Sequence, residues 1–366
     1  MKHKINFVLI QLYNLIIRLI SGLVFNKVKR RQFRASHILL KKGYTSNPYC
    51  NNDKVGKIYY PIYIKSSVMT NDNNPYEIYN KDGEPMKTFF IRGPIYAPMP
   101  PIASMSKYFI WDRYDWGRDV HFYTHEAVLE VIGNPKKKYA MFCEPESISP
   151  LSYTVFDQNK GLEKDFDLIF THHAKFLEQF DNARLFNPFA RIWGSLNDDE
   201  FNRIEEIKNK SISVLSSDKI WCDLHKFRFE LANKCKEEGL ADTFGTFDGG
   251  GFVSFDETVK NYMYSIVIEN EIDDYWFTEK ILNCFAYCCI PIYLGARKID
   301  TIFNPDGIIK IDITDFDNID KILKNCTKEE YFSRFEAIKE NYYKSLKYKS
   351  TSDLLYENYL EEDLKK

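Results

Sequence analysis

Short apolar segments alternate along the chain with longer segments of helical periodicity. In the first half the candidate strands are residues 57–64, 87–94, 107–112, 138–144, 167–172 and 183–189. In the second half they are residues 211–217, 242–247, 264–268 and 307–312, and the candidate helices are 198–210 and 219–239. Strands separated by helices of about ten to twenty residues predict parallel α/β layers.

The two series of strands predict an α/β fold with two Rossmann-like domains facing a cleft. The chain of 366 residues is long enough for two ordinary domains. We predict an N-terminal helix with a basic flank over residues 1–34, two α/β domains over 35–205 and 206–345, and a helical tail over 346–366.

Residues 5–25 are apolar over about the 20 residues that a membrane span requires. Five polar residues interrupt them, and at 100° per residue they fall within an arc of about 140°; they are Asn6, Gln11, Asn14, Arg18 and Ser21. Basic residues flank the segment, namely Lys2, Lys4, Lys27, Lys29, Arg30, Arg31 and Arg34. The pattern predicts an amphipathic helix on an anionic membrane surface, at the cytoplasmic face. A single-pass membrane anchor and a helix that covers a domain core are the alternatives.

The overall composition narrows the classes of function. A formal net charge of −2 gives no electrostatic argument for binding nucleic acid. The eight cysteines form neither a CxxC pair nor a Cys/His zinc spacing, and most lie within apolar segments. We therefore expect a reducing compartment and no structural metal.

A cluster of polar residues interrupts the apolar segments between residues 264 and 295. Glu269 and Asn270 follow the candidate strand 264–268 directly. Thr278 is a candidate helix cap, and Glu279 and Lys280 follow it in the first helical turn. Parallel α/β proteins bind ligands outside the carboxyl ends of their strands, so the cluster is predicted to lie at a ligand-binding edge.

This cluster resembles the donor-binding motif of glycosyltransferase family 10, the α-1,3/4-fucosyltransferase family. The family pattern is close to F-E-N, a variable loop, Y-x-T-E-K, an apolar helix and P-x-x-x-G. The sequence supplies Glu269-Asn270, Thr278-Glu279-Lys280, Pro291 and Gly295 at matching spacing. Trp276 stands where the family has Tyr, which bears on the identity of the donor sugar.

Two further segments resemble motifs of the same family. Within residues 226–245, Arg228 falls on the family's arginine for the donor phosphate, and Lys226 is a competing assignment. Residues 143–150, "CEPESISP", resemble the acceptor-side motif E-S-P-x-x-x-P. Glu144 then falls on the family's general base, with Glu146 as the alternative.

The resemblance implies a GT-B type, inverting, metal-independent glycosyltransferase without a cofactor. It implies transfer of fucose or a related sugar from a GDP-sugar to a hydroxyl of a glycan acceptor, with residues 35–205 on the acceptor side and 206–345 on the donor side. Arg228, Lys280 and the helix N-terminus after Thr278 would stabilise the diphosphate. Glu269, Asn270, Trp276 and Glu279 would contact the rest of the donor.

Two other functions stay open at this point. The first is a GT-B transferase that uses another nucleotide sugar, which the Trp276 substitution keeps in view. The second is a catalytically inactive glycan-binding protein of the same fold, which would have no need of a diphosphate site.

Overall fold

The computed structural model describes residues 2–25, 30, 33, 69–71, 74–79, 87–93, 106–112, 118–129 and 135–365. The chain forms two compact units. The N-terminal unit comprises Met1–Thr171, Lys175–Phe186 and the C-terminal segment Leu355–Lys366. The C-terminal unit comprises His172–Ala174 and Asn187–Leu354.

A parallel sheet of six strands forms the N-terminal unit, in the order β4-β3-β5-β6-β7-β8. Its strands are β3 (Lys87–Arg92), β4 (Phe109–Asp112), β5 (Val120–Thr124), β6 (Lys137–Met141), β7 (Leu168–Thr171) and β8 (Ala183–Leu185). A separate antiparallel pair joins β1 (Met69–Asn71) to β2 (Asn74–Tyr79). Helices α2 (Pro150–Gln158) and α3 (Ala174–Gln179) and two 3₁₀ helices, His125–Leu129 and Leu162–Asp165, connect the strands.

Aromatic side chains fill the core of this unit. Phe142 packs against Tyr153, Phe156 and Phe176 with ring centroids 5.1 to 5.4 Å apart. These residues belong to β6, α2 and α3, or directly follow them, so one cluster holds the helices onto the sheet. Aromatic residues make up 16% of the chain, and those in this cluster serve packing.

One central strand of this sheet was not predicted from the sequence. All five residues of β5 are buried, although His121 and Thr124 are polar. His121 Nδ1 lies 2.9 Å from the hydroxyl of Tyr123, and the hydroxyl of Thr124 donates to the carbonyl of Arg92 at 3.3 Å. Because β5 passes directly into the 3₁₀ helix at His125, no turn residue marks its end.

The N-terminal segment forms helix α1 (Lys2–Ser21), as the amphipathic pattern predicts. Within the described ranges of the chain, no helix is both long enough and apolar enough for a membrane span. The basic residues Lys27, Lys29, Arg31 and Arg34 and the predicted strand 57–64 lie outside the described residues.

A second parallel sheet, of five strands, forms the C-terminal unit in the order β10-β9-β11-β12-β13. Its strands are β9 (Lys210–Leu215), β10 (Asp242–Phe244), β11 (Tyr262–Ile268), β12 (Ile290–Leu294) and β13 (Ile309–Lys310). Its helices are α4 (Asp198–Asn202), α5 (Ile204–Ile207), α6 (Asp223–Glu237), α7 (Phe255–Val259), α8 (Glu279–Ala286), α9 (Ile319–Lys324), α10 (Lys328–Ser333), α11 (Phe335–Ser345) and α12 (Thr351–Leu355). The predicted α/β class with two Rossmann-like domains is confirmed.

The units differ in extent from the predicted domains. The C-terminal unit begins at Asn187 instead of 206. The predicted tail 346–366 is divided, because a π-helical turn, Tyr356–Leu360, and helix α13 (Glu361–Asp363) belong to the N-terminal unit. Asp363 fastens this segment there, accepting hydrogen bonds from Lys137 at 3.0 Å and from the hydroxyl of Tyr139 at 2.7 Å.

Gly245 lies at the carboxyl end of β10 and controls how closely the neighbouring loop approaches. Its φ of +105° is a conformation that side chains disfavour, and a Cβ there would lie 2.0 Å from the carbonyl oxygen of Ser216. Gly249 also has a positive φ, +84°, but nothing lies within 4 Å of its Cβ position.

We expect Gly245→Ala to lower the free energy of unfolding by more than about 2 kcal/mol, because backbone strain and a backbone clash act together. The matched variant Gly249→Ala should cost about 1 kcal/mol, from strain alone. Urea denaturation of both variants beside the wild type measures the difference. Equal losses would contradict the close approach of Gly245 to Ser216.

Candidate active site

The candidate site lies where the strand order of the second sheet reverses. When the five strands are numbered by their order in the sequence, they lie across the sheet in the order 2-1-3-4-5. The first and third strands, β9 and β11, are therefore neighbours. The connections from these two strands leave in opposite directions and open a crevice at their carboxyl ends, where α/β proteins bind ligands. Ser216 follows β9 at this edge, and Glu269 and Asn270 follow β11.

Glu269 connects the end of β11 to the start of α8. It is completely buried, and its backbone N–H donates to the carbonyl of Leu294 at 2.8 Å, which extends the sheet by one residue. One carboxylate oxygen accepts the N–H of Thr278 at 2.9 Å, and the other accepts the hydroxyl of Thr278 at 2.8 Å. Burial raises the pKa of Glu269, while Lys280 and Thr278 act in the opposite direction. Because its oxygens are engaged, we place Glu269 as the support of α8 instead of a direct donor ligand.

Thr278 caps helix α8, as its position in the sequence predicts. Its backbone is extended, and its side-chain oxygen accepts the N–H of Lys280 at 3.3 Å. The ammonium of Lys280 donates to the same oxygen at 3.1 Å and to Glu269 at 3.4 Å. The N-terminus of α8, with its partial positive charge, is therefore fixed beside a lysine ammonium.

Lys280 remains charged in this environment. Burial lowers its pKa, but the carboxylates of Glu279 and Glu269 outweigh burial and the pKa is raised above its ordinary value. Its side chain keeps 20% exposure, and its ammonium is held by Glu269, Thr278 and Glu279. Glu279 is similarly exposed, at 21%, and lies 3.5 Å from the ammonium.

Arg228 lies on α6 and reaches the end of β11. It is buried, and its guanidinium donates to the carbonyl of Ile268 at 2.9 Å. Burial lowers its pKa, and the charges of Glu269 and Glu279 oppose this shift. The structure therefore brings Arg228 together with Glu269, Glu279 and Lys280. The competing Lys226 is exposed and pairs with Asp223 at 3.4 Å.

A third cation, Arg191, was not predicted from the sequence. It is buried, its guanidinium stacks 3.8 Å above the ring of Trp193, and burial lowers its pKa to about 10 against the opposing charge of Glu279. The carboxylate of Glu279 thus acts on Arg191, Arg228 and Lys280 alike. A single arginine within the apolar segment 186–194 was the available signal.

His225, one helical turn before Arg228, was missed as well. It is buried, and its Nε2 lies 3.0 Å from the side-chain oxygen of Asn270. Burial, followed by the charge of Arg228, lowers the pKa of His225 to about 4, so the imidazole is neutral near pH 7. A neutral ring with its hydrogen on Nε2 donates to Asn270 and fixes the amide orientation. Cys222 donates to the backbone carbonyl of Asn270 at 3.3 Å, so the N-terminal turn of α6 positions this residue.

Trp276 is almost fully buried beside α8. Its ring packs against His172 with centroids 4.3 Å apart and meets Phe189 edge to face at 6.4 Å. Within the described part of the chain its indole N–H has no hydrogen-bond partner. Trp276 therefore forms a wall behind α8.

Gly295 leaves room for the buried carboxylate. A Cβ at this position would lie 2.5 Å from Cγ of Glu269 and 2.4 Å from the hydroxyl oxygen of Tyr293. Only glycine permits this approach, which explains its place in the motif.

The two candidate bases lie in the N-terminal unit, in the loop after β6. Glu144 is half-buried, and its backbone carbonyl accepts the hydroxyl of Tyr153 at 2.7 Å. Glu146 is exposed. His125, after β5, has a positive φ of +54°, is buried, and places Nδ1 within 3.0 Å of Ser149 and 3.1 Å of Ser152. Strained backbones of this kind concentrate at functional sites.

The lowered pKa of His225 makes a pH dependence of stability testable. The folded state binds the proton less tightly than the unfolded state, so this contribution is present above pH 6.5 and is lost as the pH falls towards about 4. Compared with His225→Gln, which does not titrate, the wild type should lose an additional 1 to 3 kcal/mol or so by pH 4. Parallel denaturation profiles of the two proteins would refute the buried neutral state.

Comparison with known proteins gives one match by family. Residues 206–359 match the family model described as "Glycosyltransferase family 10 (fucosyltransferase) C-term". A search among curated proteins found no match.

Solved glycosyltransferases show limited similarity to the chain. An α1,3-fucosyltransferase is 13% identical with a TM-score of 0.47, over 80% of this chain and 92% of the other. The same type of enzyme solved with GDP is 13% identical with a TM-score of 0.46, over 75% and 86%. HepE of Anabaena, in complex with UDP-glucose, is 8% identical with a TM-score of 0.47, over 67% and 79%.

The family match includes β9, β11, α6 and α8 and the motif residues that they position, whereas Arg191 lies before the matched residues. Residues 206–359 of the protein are thus similar to the C-terminal domain of glycosyltransferase family 10, the fucosyltransferase family.

Proposed function

We propose that the protein transfers fucose, or a closely related sugar, from a GDP-sugar to a hydroxyl of a glycan acceptor. The reaction is inverting and requires no metal. One observation carries the proposal: the carboxylate of Glu279, 3.5 Å from the ammonium of Lys280 at the start of α8, also acts electrostatically on the buried cations Arg191 and Arg228.

The charge balance of this cluster is positive and favours an anionic ligand. Three positive charges face the carboxylates of Glu269 and Glu279, and the N-terminus of α8 adds a partial positive charge. Two of the cations are buried, and a buried cation is costly unless an anion compensates it. The diphosphate of a nucleotide sugar provides that compensation. Because its charge grows as the sugar leaves, the cluster stabilises the transition state more than the bound donor.

Asn270 and Glu279 supply polar groups on the sugar and ribose side. Asn270 has its side-chain oxygen fixed by His225, so its amide N–H₂ is oriented. Glu279 is partly exposed at the first turn of α8, and its carboxylate can accept hydroxyl hydrogens of the donor. Trp276 stands behind these groups and keeps the wall of the site apolar.

The chemical step needs one base. Glu144 takes the proton of the acceptor hydroxyl, and the oxygen attacks the anomeric carbon from the face opposite the diphosphate. The bond between the anomeric carbon and the phosphate oxygen breaks, and GDP departs with the electron pair. A carboxylate is a suitable base for a hydroxyl that loses its proton only in the transition state. Glu144 is preferred to Glu146 because the hydroxyl of Tyr153 fixes its backbone.

The two alternatives make different predictions about ligands. A transferase for another nucleotide sugar would bind UDP or CMP in preference to GDP. An inactive glycan-binding protein would bind a glycan and none of the nucleotides.

We expect GDP to raise the midpoint of thermal unfolding without added metal, while UDP and CMP leave it unchanged. Lys280→Met should weaken GDP binding about 10- to 100-fold, because a charge-assisted hydrogen bond to phosphate is lost. Lys280→Arg, which keeps the charge, should retain more of the affinity. Lys321→Met, at an exposed lysine of α9 that donates to Asn318 at 2.7 Å, is the matched control. A shift with UDP or CMP instead of GDP would contradict the proposed donor nucleotide. No shift with any nucleotide would contradict the proposal that the protein is a transferase.

We expect Glu144→Gln to leave GDP binding unchanged and to lower kcat by at least about 100-fold, because the amide cannot accept the acceptor proton. Glu146→Gln is the matched variant in the same loop and should keep most of the activity. Both variants are assayed by the release of GDP, once for hydrolysis of the donor and once for transfer to a glycan acceptor. If Glu146→Gln alone is inactive, the base is Glu146.

A further inference from the structure

Helix α1 has an unusual distribution of buried and exposed side chains. Among its described side chains, Ile17 and Ser21 are buried, and they lie one helical turn apart on the same face. The hydroxyl of Ser21 donates to the carbonyl of Arg18 at 2.6 Å, so this face has no unsatisfied polar group at Ser21. The buried face of α1 is therefore narrow among its described side chains.

The opposite side of α1 is apolar and exposed. At 100° per residue the exposed residues occupy one continuous arc of about 160°; they are Leu9, Leu12, Tyr13, Leu15, Ile16, Leu19 and Ile20, with exposures from 38% to 68%. Leu23 and Phe25 continue the surface beyond the helix. By helical position, Gln11, Asn14 and Arg18 fall in the remaining sector. A helix that covers a domain core would bury its apolar arc, and α1 exposes it.

The charge of this part of the chain is just as uneven. Residues 1–50 contain ten Lys and Arg and no Asp or Glu. The whole chain has 50 basic and 52 acidic residues, so the remaining 316 residues carry 40 basic and 52 acidic ones. The excess of positive over negative charge thus lies in residues 1–50, which include the exposed apolar arc and which we call the basic segment.

We propose that α1 lies in the plane of an anionic membrane surface, with its apolar arc in the lipid and the basic segment against the phosphates. Leucine and isoleucine side chains are stabilised when they leave water for the lipid. Lys and Arg near an anionic surface add a favourable electrostatic contribution. Arg18 lies in the polar sector beside the arc, where its long side chain can reach the headgroups.

The charge favours lipid over a second copy of the chain as the occupant of this surface. A dimer that buries two apolar arcs against each other would also bring two basic segments together, each with ten positive charges in 50 residues. An anionic bilayer buries the same arc and neutralises those charges at once. The proposal does not depend on the donor or acceptor of the catalytic reaction.

Sedimentation of the full chain with phosphatidylcholine vesicles, with and without about 30% phosphatidylglycerol, tests this arrangement. The wild type should bind the anionic vesicles, bind the neutral ones much more weakly, and dissociate partly at about 0.5 M salt. The double variant Leu12→Gln, Leu19→Gln should bind anionic vesicles at least about tenfold more weakly, because the centre of the arc is lost. Leu151→Gln, at an exposed leucine of α2, is the matched control and should bind as the wild type does.

A second variant separates the charge from the apolar arc. Replacing Lys27, Lys29, Arg30 and Arg31 by Gln removes four of the ten positive charges and should weaken the preference for anionic lipid, while the apolar arc stays intact. Unchanged midpoints of thermal unfolding show that the variants are folded. Equal binding by the double variant and the wild type would overturn the proposal. The proposal would also be overturned if the wild type were a dimer in solution, the double variant were a monomer, and neither protein bound vesicles.

Discussion

The hydrogen bonds between Glu269 and Thr278 determine the geometry of the candidate site. A carboxylate with no exposure to water is costly unless every oxygen has partners, and here the N–H and hydroxyl of Thr278 and the ammonium of Lys280 provide them. The strand end and the start of α8 are therefore joined through one side chain, and Gly295 is small enough to admit it. The orientations of Glu279 and Lys280 follow from this junction, since both lie in the first turn of α8.

Three cations are coupled electrostatically to the first turn of α8. Arg191, Arg228 and Lys280 come from three separate segments, and all respond to the charge of Glu279. Burial disfavours the charged form of each cation, so keeping these charges inside the protein lowers the stability of the folded state. Groups whose pKa values are perturbed by burial and by specific partners, within a crevice, are typical of functional sites. The neutral His225 fits the same arrangement: beside Arg228 a second positive charge would be unfavourable, and a neutral ring can orient Asn270.

Much of the fold is readable from local patterns, because strands buried on both faces appear as apolar runs and parallel connections require helices between them. The motif around Glu269, Thr278 and Lys280 was readable for a similar reason, since its residues are close in sequence and have fixed spacing. Strand β5 was not predicted because its buried positions include the polar residues His121 and Thr124, whose polar groups find their partners in the folded sheet. Arg191 was not predicted as a site residue because it is linked to the site through the charge of Glu279, which is distant in sequence.

The sequence by itself determined the α/β class, the amphipathic character of α1 and the cluster of polar residues after β11, because each depends on spacing within a short segment. Only the tertiary structure decided the roles within that cluster. Glu269 became a buried support instead of a donor ligand, because burial and hydrogen-bond satisfaction depend on what surrounds a residue. The return of residues 355–366 to the first sheet was also decided in three dimensions, through Asp363 with Lys137 and Tyr139. Contacts between residues more than two hundred positions apart leave no periodic trace in the sequence.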